Sequence, residues 1–186
     1  MNFFEDRIIN SVEFVSSGNQ KKYSTNIYEA VQINDFIFNG ANNISKFGLN
    51  HNIKTIIKNV NSDSKNSAKL KEKQQSEVLS MLTYDLDLPL IKDNVNFNSQ
   101  LIPRASLRYS PNDTKSLKTE ERYLNTDNIF SLNRISYNET IESGTSITLG
   151  LDYEKKDKKE NNTFLSSKIA TVFRDEINEN LPTTST

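Results

Sequence analysis

The sequence predicts an all-β fold, an antiparallel meander of about seven long strands. Three observations carry this. Apolar and polar residues alternate with a period of two in run after run, the spacing that sends side chains to opposite faces of a strand. Turn-forming or charged stretches separate the runs. Helical periodicity is confined to a weak stretch at residues 68–75, mostly Lys, Glu and Gln.

The first run, residues 3–16, carries Ile8, Val12 and Phe14 on one face, and Ser17-Gly18-Asn19 after it reads as a turn. The second, residues 22–38, groups Tyr23, Thr25, Ile27, Val31 and Ile33, with Asn39-Gly40 as its turn. The third, residues 44–60, sets Phe47, Leu49, Ile53 and Ile57 against Lys46, Asn50, Asn52, Lys54 and Lys58. A charged loop follows at 61–75. The fourth, residues 76–90, places Val78, Leu82, Tyr84, Leu86, Leu88 and Leu90 opposite Glu77, Thr83, Asp85 and Asp87. After Lys92-Asp93-Asn94 the fifth, residues 96–109, sets Leu101, Ala105, Leu107 and Tyr109 against Arg104, Ser106 and Arg108.

A long polar stretch, residues 110–142, precedes the cleanest strand, residues 143–157. There Thr145, Ile147, Leu149, Leu151 and Tyr153 alternate with Ser146, Thr148, Gly150, Asp152 and Glu154. The seventh run is 163–174. Short turns near Asn39, Asp93 and Lys158 fall at one end of this meander, and the longer connections fall at the other. The compact turn at residues 17–21 is the exception on the long-loop side.

Composition narrows the chemistry. The chain has 186 residues, a formal net charge of −1, 34% hydrophobic residues, one His and no Cys. Disulfides and thiolate metal sites are excluded, and near-neutral charge gives no electrostatic footprint for nucleic acid. A lone His51, on the apolar face of the third run, has no second member for a triad or a His-based metal site and reads as a packing or interface residue. Asp85 and Asp87 share a strand face and read as a solvated charge pair rather than a cation site. The five glycines are scattered, with no phosphate loop, so no enzyme constellation assembles and no cofactor is expected. Residues 1–14 lack the apolar core of a signal peptide. Apolar runs are too short for a membrane helix.

Two architectures share this alternation: a transmembrane barrel and a sheet with one wet face. Strand length favours the barrel. The runs are roughly 12 to 17 residues long, against about 5 to 6 in typical globular strands and about 9 to 11 for a tilted bilayer crossing. Tyr84, Tyr109 and Tyr153 sit on apolar faces, where an interfacial aromatic belt would place them.

The region 101–182 resembles the LptD family, the outer-membrane lipopolysaccharide-assembly or organic solvent tolerance proteins. The residues that carry the resemblance are Leu101, Pro103, Arg104, Tyr109 and Pro111 in the strand LIPRASLRYSP. Asn128, Phe130 and Arg134 follow in NIFSLNR, then Glu142 and Gly144, and an alternating strand with Gly150 and Tyr153. Over the first hundred residues it rests on strand rhythm and Leu88-Pro89-Leu90. Asn138-Glu139-Thr140 departs from the family's usual corner.

The resemblance implies that residues 1–186 are an incomplete portion of a large transmembrane β-barrel, without signal peptide or N-terminal jelly-roll domain. It implies an outer-membrane location in a Gram-negative bacterium and non-enzymatic transport of lipopolysaccharide to the outer leaflet. The implied partners are an LptE-like plug lipoprotein, an LptA-like periplasmic bridge and outer-membrane lipid. The polar face would then line the lumen, where Lys54, Arg104 and Arg108 could meet anionic groups of the saccharide. Pairing of these cations with nearby acids is the simpler expectation. NIFSLNR has two readings: contact with cargo or plug across the lumen, or a loop anchored by Phe130 and Leu132 whose backbone is satisfied by Asn128 and Arg134. The second is preferred. Another outer-membrane barrel, a porin or receptor, and a soluble β-sheet binding module remain the alternatives.

Overall fold

The computed structural model describes residues 9–182 apart from 69, 71, 119, 121, 122, 136, 160 and 161. Residues 3–8 of the first expected run lie outside the described residues. All regular structure is β: β1 (Ile9–Lys22), β2 (Tyr28–Gly40), β3 (Asn43–Ile44), β4 (Asn50–Lys65), β5 (Gln75–Asp87), β6 (Leu90–Asp93), β7 (Phe97–Ser110), β8 (Gly144–Asp157) and β9 (Thr163–Arg174). They form one antiparallel sheet in the order β1-β2-β4-β5-β7-β8-β9, with β3 paired to β4 and β6 to β7. The sheet is an open meander with β1 and β9 at its edges.

β5 and β6 are one line of chain. The register Asp87 to Arg104 continues as Leu90 to Leu101, and between them the Leu88 N–H still donates to the Pro103 carbonyl at 3.1 Å. Pro89, with no N–H to give, interrupts the ladder without shifting it.

Several expected boundaries move. β1 runs straight through Ser17-Gly18-Asn19, which pair with Ile33, Gln32 and Val31 of β2. The turn lies instead at residues 23–27, closed by the Tyr23 N–H on the Ile27 carbonyl at 2.9 Å, with Asn26 at φ 60°. Asn tolerates that left-handed backbone where most residues do not. Tyr23, Thr25 and Ile27 therefore belong to a turn, not to a strand face. The Asn39-Gly40 turn shifts to residues 45–49, where Gly48 adopts φ 81° and Phe47 is exposed. β4 extends to Lys65 rather than stopping near Val60, because Asn61 to Lys65 keep their ladder with β2. Residues 68–75 contain no helix among those described.

The expected asymmetry of connections rests on a single segment. One end of the sheet carries residues 41–49, 94–96 and 158–162; the other carries 23–27, 66–74 and the 33-residue stretch 111–143, which alone is longer than its counterparts.

The two faces differ. An open face presents Phe14, Phe36, Ile57, Leu82, Tyr84, Leu107, Tyr109, Ile147, Leu149 and Phe173 without cover. Isolated exposed apolar residues are ordinary, but a contiguous belt across seven strands is a surface for lipid or another protein. Tyr84, Tyr109 and Tyr153 all lie on this face, as does His51, whose ring meets Tyr84 edge-on at 6.1 Å. The other face is covered by residues 111–143. Its centre is a core of Val31, Ile33, Ile56, Val60, Leu79, Met81 and Ile141, with Ile37 and Leu132 packed on it. Burying each such side chain contributes about 1.5–3 kcal/mol.

Val31 and Ile33 thus point to the covered face, opposite Phe36. The sequence grouping that set them among turn residues reflects a strand that is apolar on both sides for part of its length.

Candidate functional site

The covering segment begins and ends at residues with backbone reasons for being there. Pro111 has no N–H, so the β7 ladder stops at Ser110 while β5 continues. The Asn112 side chain takes over. The Ser80 N–H donates to Asn112 Oδ1 at 2.6 Å, and Asn112 Nδ2 donates to the Val78 carbonyl at 3.4 Å. Asn112→Ala is expected to cost about 1 kcal/mol and to accelerate hydrogen exchange at the Ser80 amide while the Leu82 amide stays protected; equal protection at both would contradict this. The segment returns to the sheet through Gly144 at φ 82°, a left-handed conformation suited to glycine. Beside it, Thr114, Ser143 and Asn178 bond one another at 2.7–3.0 Å, and Leu117, Ile135 and Leu181 form a second small core.

Between these ends the segment is tied to the sheet by three arginines. Arg134 donates from Nε to Glu142 Oε2 and from Nη2 to Oε1, both at 2.6 Å. It also reaches Thr148 Oγ1 and Ser146 Oγ of β8, each at 2.9 Å. Arg174, at the end of β9, donates to Glu142 Oε1 at 2.9 Å. The Arg134 and Glu142 side chains are 0% and 6% exposed. Bidentate geometry and full hydrogen bonding are what make such a buried pair tolerable. Arg108 of β7 spends Nη2 on the carbonyls of Ser131 and Leu132, the latter at 3.0 Å.

Phe130 lies on Gly150: a Cβ built there would stand 2.7 Å from two ring carbons. The Arg104 guanidinium covers the ring at 4.2 Å and reaches Asp152 at 3.4 Å.

Burial pushes the Glu142 carboxyl up, but the hydrogen bonds and charge of Arg134, then those of Arg174, outweigh it. The group sits below the ordinary glutamate range.

The family-pattern residues fall into five places. Phe130, Gly150 and Arg104 stack together. Arg134 and Glu142 form the latch. Pro111 and Gly144 end the segment. Asn128 holds the loop's backbone: it exchanges bonds with Asn125 and donates to the Tyr123 carbonyl at 2.7 Å. Pro103 and Tyr109 lie apart, on the open face with Leu101 and Tyr153.

The anchored-loop reading of NIFSLNR agrees with this geometry except in one role. Arg134 binds a carboxylate and two hydroxyls, and Arg108 satisfies the loop carbonyls. Of the three candidate saccharide contacts, Arg108 is 4% exposed beneath the segment. Lys54 is paired with Asp85 at 3.0 Å, and Arg104 with Asp152. Asp85 also accepts from Ser106 at 2.5 Å, and Asp87 accepts from Asn50 at 2.7 Å. Among the described residues no group of acids and histidine is placed to hold a metal ion.

Arg108→Ala is expected to leave two partly buried carbonyls without their charged donor, loosening the segment by about 1.5–3 kcal/mol. Hydrogen exchange should then rise at residues 129–133 and not in β2; unaltered exchange at those residues would refute the assignment.

Arg174, Ser146 and Thr148 escaped the sequence reading. Ser146 and Thr148 carried a signal, since they lie on the polar face of β8. Arg174 carried none, and reaches the cluster only because it is paired with Ser146. The buried Lys58–Asp35 pair, at 2.6 Å, was missed for the same reason: the partners are far apart in sequence and meet across β2 and β4.

No curated protein matches the chain. A family model, LPS transport system D, matches residues 10–186, nearly the whole of the chain and all but the first residue of the sheet. With the open antiparallel meander, one bare apolar face and the assembled motif residues, this places the chain in the LptD family.

Proposed function

We propose that this sheet is part of the wall of an outer-membrane barrel that inserts lipopolysaccharide into the outer leaflet. The observation that carries the reading is the segregation of faces. The belt from Phe14 to Phe173 is bare, while the other face, apolar at its centre and charged around it, is partly covered by the chain's own segment. In a barrel wall the first face meets lipid and the second meets the lumen. Residues 111–143 are then an inward-folded element that narrows the lumen at the end bearing the longest connections, which faces outward in outer-membrane barrels. Arginine and hydroxyl anchors hold it, and no bond of the cargo is broken. Lys54 and Arg104, partly open, would present charge to a passing anionic saccharide. A plug lipoprotein of the LptE kind and a periplasmic LptA-like bridge would complete the route in a Gram-negative cell.

Depleting the protein from cells should lower newly made lipopolysaccharide at the cell surface several-fold and strand it inside. Unchanged surface delivery after depletion would remove the reading.

A further inference from the structure

On the open face the apolar belt ends along one row of paired residues, Phe14, Phe36 and Ile57. Toward the end that bears residues 111–143, the next row reads Ser16, Asn34, Asn59 and Val78. The row after it reads Gly18, Gln32, Asn61 and Ser76, and then come Gln20, Ala30 and Asp63. These are outward-pointing positions; on β1, β2 and β4 they change from hydrocarbon to amide and hydroxyl within one row, while on β5 Val78 carries the belt one row further.

The side chains are linked sideways across four strands. Ser16 Oγ donates to Asn34 Oδ1 at 2.7 Å, and Asn34 Nδ2 to Asn59 Oδ1 at 3.3 Å. Asn61 Nδ2 donates to the same oxygen at 2.6 Å, and Asn59 Nδ2 reaches Ser76 Oγ at 3.3 Å. A concavity of about 560 Å³ lies over this floor, lined by Ser16, Gly18, Gln20, Gln32, Asn61 and Gln74 among others. Gly18 keeps it low, since a Cβ there would stand 3.1 Å from the Val31 carbonyl oxygen. The outermost row sets Lys22 and Lys65 either side of Tyr28.

Rows of cross-linked amides hold each other's orientation and still have unused donors and acceptors. Such a floor suits a partner with many hydroxyls at close spacing. An acyl chain gains nothing on it, and a single phosphate would meet cations only at the far rim. The floor is also continuous with the belt, so its partner stands next to the lipid tails.

We propose that this outer surface of β1, β2, β4 and β5 binds the saccharide headgroup of a glycolipid in the surrounding leaflet, outside the barrel. The inference rests on the reading that the open face meets lipid.

The test uses the complete protein in nanodiscs of phospholipid mixed with rough lipopolysaccharide. One variant carries a photo-crosslinking residue at Gln32, on the amide floor. Another carries it at Ile147, in the belt. Gln32 should label the glycolipid about fivefold above its share of the lipid, and Asn59→Leu with Asn61→Leu should abolish that excess while Ile147 still labels lipid. Labelling at Gln32 in proportion to composition, with Ile147 labelling lipid normally, would overturn the saccharide site alone. No lipid labelling at Ile147 in the otherwise native protein would overturn the membrane reading as well.

Discussion

Glu142→Ala is expected to release residues 111–143 from the sheet. The carboxylate is shared by two guanidiniums, those of Arg134 and Arg174, and Arg134 beside it is fully enclosed. Removing it leaves an uncompensated buried cation, which costs about 3–5 kcal/mol, more than the net worth of the pair itself. The same logic predicts a partial rescue. Arg134→Met in the Glu142→Ala background removes the fully enclosed charge and leaves only the partly exposed Arg174, so the double variant should be less damaged than Glu142→Ala alone. Limited proteolysis of the purified protein reads this directly, with cuts expected within 111–143 and the strands left intact. A Glu142→Ala protein whose segment resists protease as well as the wild type would show that the latch does not hold it.

The sign of the pH response follows from the same contacts. A carboxyl held below its unfolded value contributes stability that is present above the unfolded pKa, about 4.3 for a glutamate, and is lost as pH falls through the folded one. The segment should therefore stay protected from neutral pH down through mild acid, and open only below the ordinary glutamate range. Opening between pH 7 and 6 would require another titrating group.

Alternation was a good guide wherever each face of a strand meets a different medium. In β7 and β8 all apolar residues of the pattern lie on the open face, and Arg104, Arg108, Ser146 and Thr148 lie on the other. It misled in β2. There the covered face is itself dry, under Ile141 and Leu132, so Val31 and Ile33 are apolar for a reason unrelated to lipid. It misled again at Ser17-Gly18-Asn19, where turn-forming residues sit in a long edge strand because β2 supplies a full ladder. The motif residues Phe130, Arg134, Glu142 and Gly150 were all visible in the sequence, but the contacts among them were not. Arg134 and Thr148 are separated by a bend whose course depends on Pro111, Gly144 and the register of β8, and no local pattern encodes that course.

Gly150→Leu should be nearly as disruptive as loss of the latch, for a steric rather than an electrostatic reason. The Phe130 ring already occupies the place of the Cβ, at 2.7 Å, and Arg104 closes the far side of the ring at 4.2 Å. The ring cannot slide along the sheet without giving up that cation–π contact, worth about 0.5–1 kcal/mol at a partly exposed site. Forcing extra carbon into such a stack costs about 1–3 kcal/mol, and lifting Phe130 also pulls on Ser131 and Leu132, whose carbonyls are held by Arg108. Gly150→Ala is expected to show a smaller form of the same defect, and Phe130→Ala should relieve it. The alanine variant alone should lower the urea midpoint and speed exchange at residues 129–133, and the double variant should recover exchange toward that of Phe130→Ala alone. If Gly150→Ala left both measurements unchanged, the ring would not rest on β8 as described. If Phe130→Ala failed to relieve Gly150→Ala, the glycine would be needed for the strand's own backbone and not for the space above it.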